Sequence, residues 1–95
     1  MNDEALKIIG KINGLFPNPG AFFSFNGERY KILKAEIGNG KGKIGEVISN
    51  KLEIICRNNQ SIKILEIQRQ GKKPQKIGEF MLGSQIKKGS IISDV

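Results

Sequence analysis

Residues 14–37 read GLFPNPGAFFSFNGERYKILKAEI, and their reading decides the fold. Pro17 and Pro19 fix φ near −65° and offer no backbone N–H, so they hold the chain extended. Gly20 can then turn it into a strand that runs to Phe25. Asn26 and Gly27 form the strongest short hairpin signal, and a second strand follows from Arg29 to Ile37. Four of the five phenylalanines fall within residues 16–25. Phe23 and Phe25 share one strand face, with Phe22 and Ser24 opposite. Burying both would stabilise a small domain by about 2–3 kcal/mol each. The cluster therefore reads as scaffold rather than as a stacking platform for bases. Phe16 and Phe22 are the aromatics left for contact, or for packing between a helix and the sheet. The second strand does not alternate cleanly. Tyr30 and Ile32 share one face, whereas Leu33, Ala35 and Ile37 share the other, and a bulge or strong bend between 32 and 33 produces such a switch.

Upstream, Ala5, Ile8, Ile9, Ile12 and Leu15 follow the helical period, which predicts a helix over 3–13. Asn2 or Asp3 can cap it, Lys7 and Lys11 lie on its polar face, and Gly14 and Pro17 stop it. Downstream, GNGKGKIGE at 38–46 lacks a Walker pattern and reads as a mobile hairpin loop in which Lys41 and Lys43 are loop charges. A short strand is expected at 47–49 and another at 52–56, the latter with Leu52, Ile54 and Cys56 opposite Glu53 and Ile55. Asn58 and Asn59 make a turn. In the strand that follows, over 61–68, Ile62 and Ile64 face one way and Leu65 and Ile67 the other, a second face switch. Short strands with such switches point to a small, curved, closing sheet. Pro74 is expected to open a short helix with Ile77, Phe80 and Met81 on one face and Gly83 at its end. Gly78 costs that helix about 1 kcal/mol relative to Ala, so it depends on packing. Ile91 and Ile92 are expected to pair as a last strand.

The expected fold is therefore mainly β: a small OB-like barrel of five to six short strands, with an N-terminal helix and a short helix near the C-terminus. Residues 1–16 form the helix and lead-in and 17–95 the barrel, one domain overall. A chain of 95 residues holds one core and little else.

Sixteen Lys and Arg against nine Asp and Glu give a net charge of +7, which favours polyanionic partners. Thirteen of the sixteen are lysines, so a Lys-rich composition is the rival explanation. There is no histidine, which removes Ser-His-Asp and Cys-His arrangements and any His-containing metal site. The single cysteine, Cys56, forms no internal disulfide and fits a reducing, cytoplasmic setting. It shares an apolar strand face and reads as an inert core thiol. No membrane span and no secretory signal are expected. No catalytic residue and no metal ligand are assigned.

Several stretches, taken in order, resemble the C-terminal domain of the methionyl-tRNA formyltransferase family, a domain also found in related sugar-nucleotide formyltransferases. They are INGLFPNPGAF at 12–22, with the family's P-x-P-G-A-F core, and YKILKAE at 30–36, with its K-A pair at Lys34 and Ala35. GEV at 45–47, GKKP at 71–74, EFM at 79–81, Gly83 and Gly89 follow in the family's order. The resemblance covers almost the whole chain. Asn13, Asn18 and Gln75 depart from the usual Arg, Trp or Tyr, and Met, so this end lacks one cation and one aromatic.

The resemblance implies an OB-like barrel that offers a basic surface to initiator tRNA. A separate catalytic domain, in cis or in trans, would bind 10-formyltetrahydrofolate and transfer the formyl group. The Asn-His-Asp constellation and S-L-L-P loop of that domain do not occur here, so this chain alone is expected to be non-catalytic and to bind no cofactor. The alternative is a structural or subunit-contact domain of a sugar-nucleotide formyltransferase, or a stand-alone relative, with no RNA role. The expected phosphate contacts are Lys72 and Lys73, which match the family motif, with Arg69 and Lys76 beside them. These are four cations in eight residues. Lys34 matches the K-A pair, Arg29 and Lys31 rest on charge alone, and Lys87 and Lys88 form a second basic pair before Gly89. With a face switch at 32–33, Arg29, Lys31 and Lys34 can all point outward.

Overall fold

A computed structural model describes residues 4–14 and 20–94. The elements are α1 (Ala5–Ile12), β1 (Ala21–Phe25), β2 (Glu28–Gly38), β3 (Glu53–Cys56), β4 (Gln60–Arg69), β5 (Gln75–Lys76), α2 (Ile77–Gly83) and β6 (Ser93–Asp94). The sheet runs β3-β4-β2-β1-β6, with β5 beside β4. It curls into a barrel-like shell around Phe23, Ile32, Leu52, Ile54, Ile62, Ile64 and Ile67, all fully buried.

The β1–β2 hairpin forms as its sequence predicts. Ala21 pairs with Ile32 and Phe25 with Glu28. Asn26 and Gly27 both hold positive φ, 50° and 78°, the backbone of a type I′ turn. Phe23 is buried, and Phe25 is half-buried against the core. Phe16, Pro17 and Pro19 lie outside the described residues, as do the proposed caps Asn2 and Asp3.

Both face switches are present, and they are one feature. Between β2 and β4, Ile32 pairs with Ile67, Lys34 with Glu66 and Ala35 with Ile64. Leu33 is therefore extra on β2 and Leu65 extra on β4. The two bulges compensate, so Ile62, Ile64 and Ile67 all reach the interior while the strands curve.

The segment 45–48 bridges the sheet's two edges. On one side Gly45 N–H donates to Ile55 O at 2.9 Å, and Ile48 N–H donates to Glu53 O at 2.9 Å. On the other side Val47 N–H donates to Ser90 O at 2.8 Å, and Ile92 N–H donates to Gly45 O at 2.9 Å. Gly45 makes the approach possible: its φ is +84°, and a Cβ there would lie 2.6 Å from Ile92 O. The glycine loop before it is fastened as well, since Gly40 N–H donates to Glu53 Oε2 at 2.9 Å and to Ser61 Oγ at 3.0 Å.

Four expectations are corrected. Ile55, expected opposite the core face, is fully buried, and the ladder that joins it to Gly45 and Glu46 lies along the loop. Residues 47–49 do not form a strand; Glu46 and Val47 make isolated bridges to Ile91 and Ile54. Pro74 does not open the helix, because β5 intervenes and α2 starts at Ile77. The last strand is Ser93–Asp94, which pairs with β1, while Ile91 bridges to Glu46.

The helices cover the shell. α1 buries Ala5 and Ile8, with Ile9 and Ile12 packed beside them. Its first turn is tied to the distant β3–β4 turn: Ala5 N–H donates to Gln60 Oε1 at 2.8 Å, and Asn58 Nδ2 donates to Glu4 Oε1 at 2.9 Å. α2 buries Phe80 and rests Ile77 and Met81 on the core, as its sequence predicts.

Candidate functional site

Strand register decides which side chains meet outside the shell. Phe22 on β1 pairs with Lys31 on β2, and Lys31 pairs with Gln68 on β4. Arg29 lies two residues before Lys31 and shares its face. The Arg29 guanidinium lies over the Phe22 ring, 3.9 Å from its centroid, and Lys31 Nζ is 5.9 Å from the same point. The bulge turns Lys34 outward, opposite Glu66, and Glu66 pairs on its other side with Lys76. Arg29, Lys31, Lys34 and Lys76 are all exposed on this outer side of the sheet.

Arg69, at the end of β4, sits between two hollows. One is an open cleft of about 620 Å³ whose walls include Glu28, Tyr30, Arg69, Lys72, Lys73 and Glu79. The other, about 190 Å³, is lined by Phe22, Arg29, Lys31, Gln68, Arg69 and Gln70, together with Gly71. Three cations and no carboxylate line the smaller hollow. The loop between them is well braced. Lys72 N–H donates to Arg69 O at 2.9 Å, Gln70 N–H to Arg29 O at 3.0 Å, and Gln68 Nε2 to Lys72 O at 3.0 Å.

Phe25, Tyr30 and Phe80 bring aromatic rings to the cleft, and the buried Phe23 lies beneath Tyr30. Phe23 and Tyr30 are stacked with centroids 5.1 Å apart, and Phe80 meets Tyr30 edge-on at 5.7 Å. The Tyr30 hydroxyl donates to Glu28 Oε2 at 3.0 Å, and the other Glu28 oxygen is ion-paired with Arg69. The hydrogen bond from Arg69 holds the Glu28 carboxyl below its usual value. Burial, then the Glu28 contact, pushes the Tyr30 phenol up. Glu28 in turn raises Arg69.

Six of the nine predicted cations thus surround Arg69 or share a sheet face near it: Arg29, Lys31, Lys34, Lys72, Lys73 and Lys76. Lys87 and Lys88 are not among them. They are exposed in a turn whose following residues bond to Val47, and they line neither hollow. Counting cations missed Glu28, Tyr30, Gln68 and Gln70. The hairpin register was the available signal, because it sets Glu28 at the strand end beside the turn.

Among the described residues, no group of three or more His, Cys, Asp or Glu could hold a metal ion. Cys56 is buried, and its thiol is pushed up to about 11 by that burial. No helix among the described residues is long and apolar enough to cross a membrane.

Comparison with known proteins finds relatives along almost the whole chain. The chain is 72% identical over 94 residues to the methionyl-tRNA formyltransferase of Pelagibacter ubique, covering 99% of this chain and 30% of that protein. It is 41% identical over 92 residues to the methionyl-tRNA formyltransferase of Rickettsia felis, covering 95% of this chain and 30% of that protein. The chain therefore spans 30% of the length of the curated relatives it matches. Residues 1–85 match the family described as formyl transferase, C-terminal domain, and the chain belongs to that family.

Proposed function

We propose that the chain is the tRNA-contacting C-terminal domain of a methionyl-tRNA formyltransferase acting in translation initiation. The observation that carries this is the set of seven cations, Arg69 and the six around it, on the outer sheet face and at the cleft beside it, on a domain of net charge +7. Lys72, Lys73 and Arg69 contact phosphates at the cleft, with Lys76, Lys34, Arg29 and Lys31 extending the track across the sheet. Lys87 and Lys88 make a separate, peripheral contact. Such contacts orient initiator tRNA without reading its sequence. The acceptor end is handed to a catalytic domain, in cis or in trans, where 10-formyltetrahydrofolate supplies the formyl group. The location that goes with this role is the cytoplasm.

The test is fluorescence anisotropy of labelled initiator tRNA against the purified chain at several salt concentrations. The expected result is micromolar or weaker binding that falls steeply with salt and falls further for the Lys72→Ala/Lys73→Ala double variant. Absence of binding even at low salt would leave a structural domain with no RNA role.

A further inference from the structure

We propose that the smaller hollow is a stacking site for one unpaired nucleobase, built on the Phe22–Arg29 pair. This rests on the RNA-binding reading and gives it a structural preference that phosphate contacts alone lack.

Phe22 is the aromatic residue of β1 that the core does not use. Phe23 is fully buried and Phe25 packs inward, whereas Phe22 faces outward and stays partly exposed. A partly exposed ring that does not pack against the core needs another reason to stand there. Here it carries a planar cation at 3.9 Å. The guanidinium covers one face of the ring and offers its own outer face as the planar surface for a base, and such a group stacks on bases whatever the base. Around it stand Lys31 and Arg69, placed for the flanking phosphates, and the amides of Gln68 and Gln70.

Size and polarity point the same way. At about 190 Å³ the hollow is smaller than the roughly 300 Å³ at which drug-sized pockets begin, so it suits a single ring system rather than a whole nucleotide. Its charged lining residues are all cations. Gln68 spends its Nε2 on Lys72 O at 3.0 Å, which holds the amide in place and leaves its carbonyl oxygen as an acceptor for a base edge. A base paired inside a duplex cannot enter such a hollow. The site therefore favours single-stranded or unpaired RNA over a continuous helix.

The probe is a short single-stranded oligoribonucleotide carrying one 2-aminopurine, compared with the same strand annealed to its complement. The native chain is expected to bind the single strand more tightly than the duplex and to change the 2-aminopurine emission. Arg29→Lys keeps the charge and removes the plane. It is expected to weaken single-strand binding about fivefold and duplex binding by clearly less, since the charge on the phosphate track remains. Phe22→Leu is expected to weaken single-strand binding about tenfold and to abolish the emission change. Equal binding of both forms by the native chain, or an Arg29→Lys variant that binds like the native chain, overturns the stacking site while leaving the phosphate-binding reading intact. No binding of either form overturns both. The native comparison and Arg29→Lys decide the matter even if Phe22→Leu fails to fold.

Discussion

Glu28 and Arg69 are ion-paired across 41 residues of sequence, at the point where the two hollows meet. The cleft's best-placed guanidinium is thus already engaged by a carboxylate. An incoming phosphate must compete with Glu28 for it. Glu28→Gln is expected to raise affinity for tRNA about two- to fivefold, which is the worth of an exposed pair, and anisotropy at constant salt measures it. Unchanged or weaker binding would mean that Glu28 positions Arg69 rather than occupying it.

The same pair makes stability depend on pH. Arg69 holds the Glu28 carboxyl below its usual value, so this contribution is complete above the ordinary carboxylate range and is lost as acid protonates the group. Tyr30 behaves in the opposite sense. Burial raises its phenol above the ordinary 10.0, so its contribution is complete below that pH and is lost in stronger alkali. The thermal midpoint, followed by circular dichroism, is expected to fall at both extremes. Glu28→Gln should flatten the acid limb, and Tyr30→Phe should flatten the alkaline limb at a cost of about 1 kcal/mol.

Closure of the shell depends on Gly45. Any side chain there must accept positive φ and displace Ile92 O. Gly45→Ala is expected to destabilise the fold by about 2–4 kcal/mol, combining backbone strain with a steric clash. Hydrogen exchange gives the readout: the amides of Val47, Gly89 and Ile92 should lose protection first, since they carry the bridging bonds.

Cys56 provides a probe of global unfolding. Its thiol is buried and raised to about 11, so at pH 8 about one molecule in a thousand is a thiolate even before burial blocks access. A thiol reagent is expected to label it only as fast as the chain unfolds. Rapid labelling of the folded chain would show that the loop covering β3 opens on its own.

Much of the shell was legible because local signals and packing agreed. The hairpin at Asn26 and Gly27 has a turn that only such residues form readily, and the two face switches announced bulges at Leu33 and Leu65. What could not be read was closure. Segment 45–48 reads as the end of a glycine loop and the start of a short strand, and its bonds go to both edges of the sheet, including residues such as Ser90 and Ile92 that the sequence places far away. Ile55 was misread for the same reason, because a strand with both faces covered loses its alternation. Pro74 looked like a helix opener because prolines favour that position, but pairing with β4 delayed the helix to Ile77. For the site, charge located the cations but not their arrangement. The bulge that turns Lys34 outward decides that, and so does the pairing that brings Arg29 onto Phe22.

The tie between α1 and the β3–β4 turn sets an order of events during synthesis. An eight-residue helix is too short to persist alone in water, and the partners of its first turn, Gln60 and Asn58, emerge long after it. Although it precedes the strands in sequence, α1 is therefore among the last elements of this domain to settle. Pulse-labelled hydrogen exchange during refolding should show the α1 amides gaining protection with or after β4, and never ahead of it.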